Sequence, residues 1–63
     1  MKREEFRIGT EFWCDGTHWR CTDIGTRVVV ATGLEPPELN VEHVFHEYDL
    51  PGCTLSPHEQ GWS

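Results

Sequence analysis

Basic residues run out early: the chain holds five Lys and Arg in 63 residues, and none after Arg27. Residues 1–31 are neutral, with Lys2, Arg3, Arg7, Arg20 and Arg27 set against Glu4, Glu5, Glu11, Asp15 and Asp23. The whole net charge of −6 therefore comes from Glu35, Glu38, Glu42, Glu47, Asp49 and Glu59. A second half of that sign repels phosphate backbones, so direct nucleic-acid binding is not expected. Long apolar runs are missing too. No segment approaches the roughly 20 residues a membrane helix needs, and the charged opening "MKREEFR" leads into no apolar stretch of signal-peptide length. No membrane role is expected, and the expected location is cytoplasmic.

Several chemical signatures are absent as well. There is no Cys-x-x-Cys step, no phosphate-cradling glycine loop and no nucleophile elbow. His46-Glu47 does not extend to His-Glu-x-x-His, because position 50 is Leu. So short a chain has little room for an enclosed pocket. The expectation is a non-enzyme, with no catalytic residue and no cofactor assigned.

What is present is aromatic and cysteine-bearing: three Trp, three Phe, one Tyr and three Cys. This composition supports one small folded domain over residues 1–63, near the lower size at which a core holds without a staple. The odd cysteine count and the missing export signal favour reduced thiols.

The densest stretch is "EFWCDGTHWRCTDIGT", residues 11–26. Asp15-Gly16 suits a two-residue type I′ hairpin, whose central positions both need positive φ. That turn sets Glu11 opposite Arg20, Phe12 opposite Trp19, Trp13 opposite His18 and Cys14 opposite Thr17, and so yields an opposite-charge pair and an aromatic pair. A three-residue loop within Thr22–Thr26 would then return the chain into "RVVVAT", a strongly β-prone run. The expected pairs are Arg20 with Val28, Trp19 with Val29 and His18 with Val30. Alternation gives this meander, about residues 9–32, two faces. Phe12, Cys14, Trp19, Cys21, Val29 and Ala31 form the expected core face. Glu11, Trp13, His18, Arg20, Val28 and Val30 form the other.

Residues 1–7 read as a charged lead-in. "GLEPPELN", residues 33–40, reads as a connection, since Pro36-Pro37 cannot continue a ladder. Val41, Val44, Phe45 and Tyr48 then recur at helical spacing behind a possible N-cap at Asn40, so a short helix is predicted, with a fourth strand as the alternative. Leu50-Pro51-Gly52 ends that element, and "CTLSPHEQGWS" reads as a short strand or an irregular tail, with Leu55 or Trp62 as its anchor.

Zinc is the first suspicion raised by the cysteines and four histidines. In the hairpin register, Cys21 lies opposite Thr10, four residues along the ladder from Cys14. That separation is on the order of 13 Å, too far for one ion or one disulfide. No metal ligand is assigned; a metal-stabilised domain completed by Cys53 stands as an alternative. His43-x-x-His46 would supply two ligands and no more.

The second sheet face is the candidate site. Trp13, His18, Arg20, Glu11 and Val30 combine an aromatic anchor with a polar rim, the composition of a protein-binding hot spot. The competing reading is that the C-terminal segment covers this face with Val44, Phe45 or Tyr48. A non-enzymatic protein-interaction module is the expected function, with homodimer formation as another way to bury the face. An acidic decoy that presents Glu35, Glu38, Glu42, Glu47 and Asp49 in place of nucleic-acid phosphates is a further alternative.

The segments Ile8-Gly9-Thr10-Glu11-Phe12, Trp19-Arg20-Cys21-Thr22-Asp23, Gly25-Thr26-Arg27-Val28-Val29, His46-Glu47-Tyr48-Asp49 and Gly52-Cys53 resemble those of small uncharacterised bacterial proteins of about this length. The resemblance implies a bacterial origin and no particular activity. By architecture alone, the meander resembles the opening of an SH3-like, partly open small barrel, without a clear fifth strand. The expected fold class is mainly β.

Overall fold

The structure, a computed structural model, describes residues 1–56. The proposed anchor Trp62 lies outside the described residues. The chain is mainly β: β1 (Glu11–Cys14), β2 (Thr17–Ile24), β3 (Val28–Gly33), β4 (Glu42–His46) and β5 (Cys53–Thr54). They form one antiparallel sheet in the order β4-β3-β2-β1-β5, so β5 closes back onto β1. Two 3-10 turns, Arg3–Glu5 and Glu47–Gly52, complete the fold.

The β1–β2 hairpin has the register its turn dictates, from Glu11 opposite Arg20 to Cys14 opposite Thr17. Asp15 (φ 53°) and Gly16 (φ 76°) both take the positive φ that a type I′ turn demands. At the other end, Cys21 N donates to Thr10 O at 2.8 Å, which continues the pairing past the named strand.

The β2–β3 register differs from the sequence expectation. Arg20 lies opposite Thr32, not Val28, and Trp19 opposite Gly33, not Val29. The cause is that β2 continues to Ile24, so the turn falls at residues 25–27 and is closed by Gly25 N to Val28 O at 2.9 Å. A bulge between Cys21 and Asp23 absorbs the extra residue. Without it, strict alternation would turn Ile24 to the outside; with it, both Cys21 and Ile24 reach the core side.

Residues 41–49 are not a helix. Glu42–His46 pair with β3, from Val28 opposite His46 to Thr32 opposite Glu42. Asn40 has φ 63°, a left-handed value, whereas a helix N-cap is extended. The helical spacing of Val41, Val44, Phe45 and Tyr48 marks no buried stripe, because only Phe45 among them is buried. Ladder pairing with the exposed edge of "VVVAT" satisfies more backbone groups than a short isolated helix would. The expected C-terminal helix is reduced to the 3-10 turn Glu47–Gly52, started by His46 N donating to Asp49 Oδ2 at 3.1 Å. A fifth strand, Cys53–Thr54, follows at once, where the sequence leaves a short strand or an irregular tail.

The core holds every residue of the expected face, and gains more from outside the meander. Phe12 is fully buried, with Phe6 edge-on at 5.0 Å and Phe45 at 5.5 Å between ring centroids. Trp19 packs edge-on to Phe45 at 5.1 Å. Leu50 and Cys53 close the other side. Phe6 belongs to the segment read as a charged lead-in; Lys2 N donates to Glu5 Oε1 at 2.7 Å, and the resulting turn swings Phe6 under β1. Each such buried aromatic contributes about 1.5–3 kcal/mol of transfer free energy, which is how a chain this short stays folded.

Residues 34–41 cross back over the end of β3. Gly33 accepts this crossing because a Cβ there would overlap the Glu38 carbonyl. Gly33 N to Val41 O at 2.9 Å and Asn40 N to Gly33 O at 3.0 Å hold the loop down.

Candidate functional site

The outward sheet face is ordered by the observed registers into cross-strand rows. Trp13 sits between Thr54 of β5 and His18 of β2, and His18 O accepts from Leu34 N at 2.9 Å. The next row runs Glu11, Arg20, Thr32, Glu42. Beyond the bulge come Asp23, Val30, Val44, and then Val28 with His46. An aromatic end and an aliphatic end are thus separated by a charged row.

At the aromatic end, the Trp13 and His18 rings stack in parallel, 4.1 Å between centroids and 4° between planes. Glu11 Oε1 lies 3.0 Å from His18 Nε2. This is a close contact and not an aligned hydrogen bond, because the nitrogen lacks a partner of proper geometry. Among the described residues, Val44, Phe45 and Tyr48 do not cover Trp13: Phe45 is buried in the core, while Val44 and Tyr48 stay exposed.

Four of the five sequence candidates, Glu11, Trp13, His18 and Arg20, adjoin one another on the hairpin. Val30 does not join them. The corrected register puts it opposite Asp23 and Val44, four residues along β3 from the position facing His18, on the order of 13 Å away. The sequence placed Val28 and Val30 beneath Trp13 only because it put the second turn too early. Leu34 and Thr54, which do flank the aromatic pair in the ladder, went unnoticed because the connection at 33–40 and the segment after Gly52 were given no pairing partner.

The cysteines separate as the hairpin geometry requires, and Cys53 finds one of them. Cys14 and Cys53 are direct antiparallel partners across β1–β5, both buried and both free thiols. The Cys53 thiol donates to Asp49 O at 3.9 Å. Burial pushes both thiols above their ordinary value, and the neighbouring sulfur lowers Cys14 while raising Cys53 further. Cys21 stands apart, raised chiefly by burial, with its thiol 3.4 Å from Asp23 O. Among the described residues, no three His, Cys, Asp or Glu side chains converge as a metal-ligand set. No helix among them is long and apolar enough to cross a membrane.

Comparison with protein-family models, with curated proteins and with solved structures finds no match to this chain.

Proposed function

We propose that the chain is a non-enzymatic protein-interaction module of the bacterial cytoplasm, built on an SH3-like, partly open barrel. The strand order, with a 3-10 turn between the last two strands and β5 returned to β1, supports the architectural likeness. The observation that carries the functional reading is the half-buried Trp13–His18 stack, bordered by exposed Glu11 and Arg20. A large ring fixed in place loses little freedom on binding, and the adjoining charges give orientation. The aliphatic pair Val30–Val44 offers a second contact across the charged row.

The test is affinity capture from cells with the parent chain and with a Trp13→Ala, Arg20→Ala double variant of matched fold. Partners lost from the variant support the reading. A partner set unchanged between the two chains removes it.

A further inference from the structure

We propose that Cys14 and Cys53 form a dithiol site that takes a small disulfide of neutral or cationic character as oxidant and closes into an intramolecular disulfide fastening β5 to β1. Three observations converge on this pair. The two residues are direct cross-strand partners; antiparallel partners hold their Cα atoms about 4.5–5.5 Å apart, inside the disulfide range of about 4.4–6.8 Å. Both side chains are buried in the same core cluster. Cys14 lines an open cavity of about 330 Å³ together with Asp15, His43, Phe45, Tyr48 and Asp49, while Cys53 borders a separate one beside Met1, Glu5 and Leu55.

The two cysteines have unequal parts. Cys14 is the more exposed of the two, at 6% against 1%, and opens on the cavity lined by Asp15 and Asp49, so it is the sulfur that attacks first. Its thiolate, formed by loss of the proton to solvent, attacks one sulfur of the small disulfide. The S–S bond of the oxidant breaks, a mixed disulfide forms on Cys14, and the first small thiolate leaves. Cys53 then gives up its proton and attacks the Cys14 sulfur, displacing the second small thiol. Two protein thiols are oxidised by two electrons, and one small disulfide is reduced to two thiols. Asp15 and Asp49 line the cavity, so an anionic disulfide is repelled where a cationic one is drawn in. Cys21, on the far end of the core face and off this cavity, takes no part.

The experiment incubates the reduced, folded 63-residue chain with cystamine or with oxidised glutathione, quenches with an alkylating agent, and maps the products by mass under non-reducing conditions. The expected product has lost two hydrogen atoms, carries a Cys14–Cys53 link and is alkylated at Cys21 alone. Cystamine reacts faster than glutathione disulfide, and added salt narrows the difference. The oxidised chain melts more than about 10 °C higher, as expected for a loop of this length. A Cys21→Ala variant forms the same link, and Cys53→Ala stops at the mixed disulfide on Cys14. A link through Cys21, mixed disulfides alone in the parent chain, or three thiols still reduced when the urea-unfolded chain has oxidised would each overturn the proposal.

Discussion

Trp13 and His18 face each other across the first hairpin with their rings parallel and 4.1 Å apart, a contact set by a two-residue turn and owing nothing to the rest of the core. A double-mutant cycle with Trp13→Ala and His18→Ala should give a coupling energy of about 0.5–1.5 kcal/mol from urea unfolding. Strictly additive single effects would mean that the stack is incidental.

Phe12 bridges the rings of Phe6 and Phe45, and so ties the N-terminal turn to β4. Phe12→Ala should cost about 3–5 kcal/mol, most of the stability of so small a domain. Circular dichroism at room temperature is expected to show a largely unfolded chain. A cooperative melt close to that of the parent would place the core elsewhere.

Gly33 carries the close crossing of the 34–41 loop over β3. Gly33→Ala should destabilise by about 1–3 kcal/mol as the Glu38 carbonyl is displaced. Amide chemical shifts should move most at Glu38–Val41, and little in the β1–β2 hairpin. Shifts spread evenly over the sheet would contradict the local clash.

The buried thiols make stability fall on the alkaline side. Their ordinary value is 9.0, and all three are raised on folding, chiefly by burial. Below that value every thiol is protonated in both states, and the full stability is present. As the pH rises past it, the unfolded chain releases protons that the folded chain keeps, so the unfolded state gains. Melting temperatures of the reduced chain should therefore drop between about pH 9 and pH 11, and less steeply in Cys53→Ala. Equal slopes in parent and variant would show that Cys53 does not contribute.

Local chemistry made part of this molecule readable from its residues. Asp15-Gly16 can hold a type I′ turn whatever surrounds it, so the first register and the six core residues of the meander follow from the turn and from alternation. The mutual adjacency of Glu11, Trp13, His18 and Arg20 came with them. The sequence also separated Cys14 from Cys21, since both positions are counted along one hairpin.

Long-range pairing decided the rest. The bulge after Cys21 moved the second turn and carried Val30 away from the aromatic pair, because reaching the core with both Cys21 and Ile24 outweighs regular alternation. The open edge of β3 made a strand of residues whose spacing reads as helical, since an unpaired ladder outcompetes a short helix without a buried stripe. Phe6 became core only when a 3-10 turn folded a charged segment under β1. Cys53 met Cys14 because the chain leaving β4 turns through Glu47–Gly52 and returns to the far edge of the sheet. A hairpin fixes its neighbours within ten residues. A contact between positions 14 and 53 exists only once the whole sheet has closed.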